Sequence, residues 1–275
     1  MGLKDELRNT IPDHAIRRFS DHFNVIGNIA VLSLPSELSP YAPDIARTLI
    51  SRRHNIRTVL NKTSPVNGCN RTACFEIIMG TDTIATHHEY GFTYRLDVRT
   101  VFFDPRLAYE RKRVCDQVTC GEHVLVPFCG VGPSVIPAAA HGARITAIEQ
   151  NQEACRWLSE NVLLNGVSDK VTTIAGDAFK VSNLKDFTYD RMIIPTPYGM
   201  DSIFDRISTK VKTGGMIHFY TFKNLAQGHA LVAEFEQNGY EVVFYRPCGN
   251  VAPSVSRWVY DLRVTGSGPR QMFQT

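Results

Sequence analysis

Two glycines and two carboxylates give the first chemical signal in the chain. Residues 124–134 read VLVPFCGVGPS, an apolar run that ends in a Gly-x-Gly turn at Gly130 and Gly132. Glycine lets backbone approach a ligand closely, and free amides at such a turn suit a polar or anionic group. Phe128 and Pro133 flank the pair and join it as candidate contacts. A second apolar run, ITAIEQN, carries Glu149 at its end, nineteen residues beyond Gly130. A carboxylate there can accept hydrogen bonds from both hydroxyls of a ribose. A third run ends in AGDAF and sets Asp177 beside the expected position of an adenine amino group. Between them, SENVLLNG reads as a helix end carrying Asn161 and Asn165. A glycine turn with two such acceptors describes a nucleoside-bearing cofactor. A nicotinamide dinucleotide is the rival, but the third glycine of its G-x-G-x-x-G fingerprint is missing. The residues favour S-adenosylmethionine.

These side chains fall at equivalent points of a repeating pattern. From Glu122 onward, strand-length apolar runs alternate with helical spacing. Strands are expected at 123–128, 144–149, 171–175, 189–195, 214–222, 240–245 and 257–264, and helices near 132–141, 151–165, 200–212 and 224–238. Repeated strand–helix units imply a mainly parallel sheet with right-handed crossovers, whose ligands gather at the carboxyl ends of the strands. The helix after Gly132 is expected to offer free N–H groups there. The last two strands are joined by a loop too short for a helix, so they should run antiparallel, which also argues against a dinucleotide fold. This is the layout of a class I S-adenosylmethionine-dependent transferase, an α/β, Rossmann-like fold with a seven-stranded sheet.

The first half has another rhythm. FNVIGNIAVLSL (23–34) reads as a strand pair or bent strand, PYAPDIARTLISRR (40–53) as a helix, and IRTVLNK and CFEIIMG as strands. HHEYGFTYRLDVRTVFFD (87–104) alternates like a hairpin with an early glycine turn. Residues 1–104 are therefore expected to form a small α+β domain that precedes a transferase domain at 105–275, with 105–121 as a linking helix. That helix should open at Pro105, and its spacing puts Arg106, Glu110 and Arg113 on neighbouring turns.

Bulk properties narrow the partners. A chain of 275 residues with 43% hydrophobic and 21% charged residues is ordinary for a globular protein. No apolar run is long enough to cross a bilayer and MGLKDELRNT has no signal-peptide core, so a cytoplasmic protein with no membrane partner is expected. The seven cysteines include no CxxC pair; free thiols in a reducing cytosol are the plainer reading, with a disulfide at Cys69/Cys74 or Cys115/Cys120 the alternative. No metal is expected, because His87 and His88 lack a third ligand at suitable spacing. Net charge is only +3, yet no acidic residue occurs from Ile45 to Phe75, where Arg47, Arg52, Arg53, Arg57, Lys62 and Arg71 lie. Such a stretch suits phosphate contacts, with a solvated helix face as the alternative; Arg52 and Arg53 are the candidates to bind an RNA backbone.

At FFDPRLAYERKRV followed by PFCGVGPSVIPAAAHGA the chain resembles a known family. It is similar to the archaeal and eukaryotic tRNA guanosine-37 N1-methyltransferases and to their relatives that transfer an aminocarboxypropyl group in wybutosine synthesis. FNVIGNIAVLSLP, NRTACFEIIMG and HHEYGFTYRLDV resemble the family's RNA-facing domain; ENVLLNGV, GDAF and GGMIHFYTF resemble its transferase domain. The resemblance implies tRNA as partner. It implies Glu110 as the general base that removes the guanine N1 proton, Arg71 as the cation that steadies O6, and Arg106 in support. An Arg106–Glu110 helix pair without catalytic duty is the alternative. The base needs a carboxylate of raised pKa, and the target nucleotide must be flipped out of its stack. The family's methyltransferases carry a further N-terminal domain that grips the tRNA corner; this chain starts at the middle domain, as the archaeal aminocarboxypropyl relatives do. Arg106 and GVGPSVIPAA follow the methyltransferase version of both motifs.

Two positions depart from the family. Pro195 stands where an Asn-x-Pro stretch has its asparagine, leaving Pro197, and Val126 stands where the first loop has an acidic residue. Proline has neither an amide side chain nor a backbone N–H. Tyr198 can stack on the target base instead. Methyl transfer, aminocarboxypropyl transfer and cofactor binding with another substrate all stay open at the level of sequence.

Overall fold

The structure, a computed structural model, describes residues 3–8, 10–64, 73–180, 188–266 and 272–273. The chain divides into two compact units, Met1–Pro105 and Arg106–Thr275, each built on its own apolar cluster.

In the first unit, α1 (Leu3–Leu7) and α2 (Asp13–Arg18) lead into β1 (Asn24–Ile26) and β2 (Ile29–Leu32). The turn between these strands uses Gly27 at φ +55°, where an added Cβ would sit 2.0 Å from the Thr86 carbonyl oxygen, so only glycine fits. Helix α3 (Ala42–Arg52) carries the chain to β3 (Thr58–Lys62) and β4 (Phe75–Met79). Its Ile45, Ala46 and Leu49 recur at helical spacing and are buried with Ala30, Leu32 and Val59 of the sheet. β2 and β3 are parallel across this crossover, and the β1–β2 and β3–β4 pairs are antiparallel. β5 (Ile84–Glu89) and β6 (Phe92–Asp97) form the expected hairpin, turning at Tyr90 and Gly91.

The second unit opens with one 3-10 turn, Pro105–Leu107, and α4 (Ala108–Cys115). The linking helix thus starts three residues later than its proline suggests, which leaves Arg106 before the helix and exposed. Then follow β7 (His123–Pro127), α5 (Val135–Ala140), β8 (Arg144–Glu149), α6 (Gln152–Leu164), β9 (Val171–Ala175), β10 (Tyr189–Ile194), α7 (Ile203–Ile207), β11 (Val211–Lys223), α8 (Leu225–Gln237), β12 (Tyr240–Ala252) and β13 (Val255–Val264). They build one seven-stranded sheet in the order β12-β13-β11-β10-β7-β8-β9. The last five strands in that order are parallel, and β13 is antiparallel to both neighbours.

The segment expected as a loop between the last two strands is itself strand. β12 runs to Ala252 and returns through Pro253 and Ser254, with three register shifts along the pair. Those shifts break the regular apolar alternation, which is why the strand could not be read beyond residue 245.

Strand order reverses between β7 and β10, and open α/β sheets bind their ligands in the crevice at such a reversal. The loops after β7 and β10 border it. The two faces of β11 differ in character. Ile217 and Phe219 enter the apolar core with Phe235 of α8, while His218, Tyr220 and Phe222 alternate to the opposite face. Gly228 of α8 lies so close to Trp258 that an added Cβ would come within 2.3 Å of the indole, which lets that helix press directly on the sheet.

Candidate active site

The glycine turn leaves β7 under backbone strain. Phe128 has φ +52°, a left-handed conformation that costs a non-glycine residue roughly 1–2 kcal/mol, and strain of this kind concentrates at functional sites. Gly130 (φ +56°) and Gly132 (φ +97°) follow, and they do different jobs. A Cβ on Gly130 would meet no heavy atom within 4 Å, so its surface is open to a ligand. A Cβ on Gly132 would come within 2.6 Å of Leu158 Cδ1, so Gly132 lets α6 close against the back of the turn. Asn161, one turn further along α6 and fully buried, donates from Nδ2 to the Val131 carbonyl at 3.1 Å.

Glu149 is bound into the same turn. Its Oε2 accepts the Gly130 N–H at 2.8 Å, and its Oε1 accepts those of Gln150 and Asn151, both at 2.9 Å. Three amides therefore fix a half-buried carboxylate at the tip of β8, beside the open face of Gly130. Asp177 is half-buried after β9, where its Oδ1 accepts the Phe179 N–H at 2.9 Å and shapes its own loop. The Phe179 ring tilts against Phe128 at 6.3 Å. The expected free N–H groups at α5 take another form. That helix has only six residues, and the amides of Val135 and Ile136 both donate to the Gly132 carbonyl. Pro133, half-buried, has no N–H to offer. The polar groups of this turn are thus carboxylate and turn backbone rather than a helix terminus.

Glu110 lies on α4 and is 3% exposed. Its Oε1 accepts from Arg113 Nε (3.0 Å), Arg113 Nη2 (2.6 Å) and the Tyr220 hydroxyl (3.2 Å); its Oε2 accepts from Arg246 Nη2 at 2.8 Å. Burial alone would raise this carboxyl, but the hydrogen bonds and charges of Arg113 and Arg246 outweigh it and hold the group below its ordinary value. The raised pKa expected for a base is therefore not found. Sequence spacing pointed to Arg106 as the helix partner, whereas the contacts are made by Arg113 at i+3 and by strand residues 110 and 136 positions away.

Behind Glu110 the charges continue inward. Arg113 forks onto Asp261, with Nη1–Oδ2 at 2.6 Å and Nη2–Oδ1 at 3.0 Å. Asp261 Oδ1 lies 2.7 Å from Nδ1 of the fully buried His218, whose Nε2 lies 2.7 Å from Arg191 Nη1; Arg191 in turn pairs with Glu122. Burial lowers the pKa of His218, and the guanidiniums of Arg191 and Arg113 reinforce this against the pull of Asp261. The imidazole is accordingly neutral, with Nδ1–H donating to Asp261 and Nε2 accepting from Arg191. Burial would raise Asp261 too, but His218 and Arg113 hold it well below the carboxylate range. The far end of α4 is tied to the glycine turn, where Cys115 Sγ lies 3.8 Å from the Ser134 carbonyl.

The loop after β10 bends tightly at Pro195, as the Thr196 N–H returns to the Ile194 carbonyl at 2.8 Å. Pro197 is buried and Tyr198 is 71% exposed, its ring 5.4 Å from Phe222. Tyr220 touches Glu110 and Phe222 touches Tyr198, so neighbouring positions on one face of β11 gather the two. Helical spacing groups Arg113 with Glu110, but Arg246 and Asp261 are not singled out in the sequence as parts of one site. Period-two polar positions in β11 and β12 are the signal that could have found the strand members.

In the first unit, Arg52 and Arg53 line a groove of about 310 Å³ together with Asp21, Phe23, Leu3 and Leu49. Arg52 pairs with Glu6 at 3.4 Å, and the Arg53 guanidinium lies 5.3 Å from the centre of the Phe23 ring. Arg71 and Cys69 lie outside the described residues. Cys115 and Cys120 are free thiols. His87 accepts the Gly27 N–H at Nδ1 (3.2 Å) and packs edge-on against Phe103. Among the described residues no three His, Cys, Asp or Glu side chains gather as metal ligands, and no helix is long and apolar enough to cross a membrane.

Strand order, antiparallel last hairpin, glycine turn and strand-end carboxylate define a class I S-adenosylmethionine-dependent transferase fold preceded by a small α+β unit. Residues 85–241 match the TRM5/TYW2 methyltransferase domain, residues 3–83 match the TYW2 N-terminal domain, and the chain belongs to the TRM5/TYW2 family. It is 35% identical to the tRNA (guanine(37)-N(1))-methyltransferase Trm5b of Pyrococcus abyssi, over 77% of this chain and 63% of that one. It is 27% identical to the tRNA(Phe) (4-demethylwyosine(37)-C(7)) aminocarboxypropyltransferase of Pyrococcus horikoshii, over 95% of this chain and 96% of that one. Among solved structures, the complex of aTrm5 and tRNALeu is similar at 25% identity with a TM-score of 0.86, covering 96% of this chain and 78% of that one. The chain spans 63%, 45% and 32% of the length of three guanine-37 methyltransferases that it matches.

Proposed function

We propose that the protein is an S-adenosylmethionine-dependent tRNA methyltransferase that acts on N1 of a guanine near the anticodon. The observation that carries this reading is Glu110, a buried carboxylate on a helix tied to the cofactor turn. The turn fits the cofactor: Gly130 is open on its ligand side, and Glu149 and Asp177 are acceptors of the kind that ribose hydroxyls and an adenine amino group require. Phe128, Gly130, Pro133, Glu149, Asp177 and Pro195 would hold it, while Gly132, expected as a further contact, packs the turn against α6. When bound, the cofactor supplies an electrophilic methyl group on a sulfonium.

The chain's own residues do the rest. Glu110, ionised at neutral pH under its two arginines, receives the N1 proton at Oε2. Tyr198 stacks on the flipped base against Pro197, and supplies by its ring what Pro195 cannot supply by an amide. Arg106 supports the same site, Arg52 and Arg53 contact tRNA phosphates, and the family resemblance assigns the guanine O6 contact to Arg71. The test is label transfer from methyl-labelled S-adenosylmethionine to a tRNA transcript, with Glu110→Gln as control. No incorporation by the wild type, or equal incorporation by the variant, refutes the assignment.

A second reading, aminocarboxypropyl transfer to tRNA, is supported by the match of residues 3–83 to the TYW2 N-terminal domain and by the end-to-end similarity to the Pyrococcus horikoshii enzyme. Carboxyl-labelled cofactor separates the two, because only aminocarboxypropyl transfer carries that carbon to tRNA.

A further inference from the structure

Arg246 is a polar residue at the Glu110 site to which none of the expected roles falls. It lies on β12, the edge strand of the sheet, with its side chain 39% exposed. Nη2 donates to Glu110 Oε2 at 2.8 Å, and the guanidinium carbon lies 5.5 Å from the Tyr109 ring centre and 5.9 Å from that of Phe244. Its Nε is buried with no acceptor among the described residues. Glu110 Oε1 is already crowded by two Arg113 nitrogens and Tyr220, whereas Oε2 accepts from Arg246 alone among the described residues. The pair therefore presents an acceptor and a forked donor side by side.

That is the complement of one edge of guanine, whose O6 accepts next to an N1–H that donates; adenine reverses both, with an exocyclic amino group beside an unprotonated N1. We infer that Arg246 is a specificity-determining residue that recognises guanine O6 while Glu110 takes the neighbouring N1 proton. The inference rests on the guanine-N1 reading above. The step balances as a proton transfer: the N1–H bond breaks, the proton passes to Glu110 Oε2, and the electron pair left on N1 delocalises onto O6, where Arg246 donates. Shifting one Arg246 hydrogen bond from Oε2 to O6 makes the carboxylate a stronger base and N1–H a stronger acid together, which brings the two proton affinities closer. The other groups facing Glu110 do not compete for that proton. Arg113 is held protonated, Tyr220 is pushed well above its ordinary value by burial and by Glu110, and burial with Glu110 pushes the Cys248 thiol up to about 12.

The test has a binding arm and a rate arm, both on the full chain. In the first, affinity is measured for tRNA transcripts with guanine or adenine at the target position. Wild type should prefer guanine by about 5- to 150-fold, and Arg246→Gln should abolish most of that preference. In the second, Arg246→Gln should lower single-turnover transfer by about 10²–10³-fold at every pH, with cofactor affinity unchanged and Arg246→Lys recovering part of the rate. If Arg246 only tunes Glu110, its removal yields a stronger base and the rate recovers at alkaline pH. Such recovery, a rate within threefold of wild type, or a wild type that binds both transcripts equally overturns the inference. A wild type that transfers no label refutes the guanine-N1 reading itself, whereas a fast Arg246→Gln refutes only the role of Arg246.

Discussion

Acidification provides a sharp test of the buried charge chain, because His218 is neutral inside it. Its ordinary pKa of 6.5 is lowered first by burial and then by Arg191 and Arg113, against the opposing pull of Asp261. In the unfolded chain the imidazole is free to protonate near 6.5. Below that value the unfolded state binds a proton that the folded state refuses, so stability falls as pH falls. One such group contributes at most about 1.4 kcal/mol per pH unit, or about 2 kcal/mol between pH 6.5 and 5. For a unit of this size that corresponds to a melting-temperature change of roughly 4–8 °C. The measurement is thermal unfolding of wild type and His218→Gln at half-unit steps from pH 7.5 to 5. Glutamine can still donate to Asp261 and accept from Arg191, but it does not titrate. The variant should be less stable at pH 7.5, and its deficit should shrink steadily as pH falls toward 5, by no more than about 2 kcal/mol. Other histidines cancel in the difference. A deficit that stays constant across the range would refute a neutral His218, and with it the donor and acceptor assignments along the chain from Asp261 to Glu122.

Further outcomes follow from the cofactor turn and its surroundings. Gly130→Ala should lose roughly 1–2 kcal/mol of stability to its left-handed φ of +56° but still fold, and should lose most cofactor affinity by calorimetry, since its Cβ enters open space on the ligand side. Gly132→Ala should instead destabilise the fold by about 1–3 kcal/mol in denaturant titrations, since its Cβ drives into Leu158. Glu149→Ala should weaken cofactor binding by roughly 10- to 100-fold, because three amides lose their acceptor together with the ligand. Tyr198→Ala should change stability by less than about 0.5 kcal/mol while slowing tRNA turnover, which separates an exposed stacking ring from a core residue.

The seven-stranded sheet was legible because its parallel strands are buried and flanked by helices, so runs such as VLVP and ITAIE stand out from helical spacing. The turn at Gly130 and the carboxylate of Glu149 were legible for a related reason: both follow directly from where strands end. The division of labour between Gly130 and Gly132 was not, since it depends on Leu158 in a helix more than two dozen residues away. Arg113, Asp261, His218 and Arg246 illustrate the larger limit. They come from one helix and three strands, and only the pairing of β11, β13 and β12 brings them into one line. The lowered pKa of Glu110 escaped the sequence for the same cause, because a carboxylate's partners decide its charge and strand pairing decides its partners.

β11 gives the protein an unusual sensitivity map. Ile217 and Phe219 belong to the packed core, while His218, Tyr220 and Phe222, between and beyond them, reach Asp261, Glu110 and Tyr198. A saturation scan along this single strand should therefore change phenotype with every step. Odd positions would register as loss of folded protein at any temperature. Even positions would register, beyond any loss of stability, as altered pH response or altered turnover. Natural variants at adjacent residues would then belong to different classes of defect, and neither burial nor distance along the chain would sort them. The direction in which each side chain leaves the sheet would.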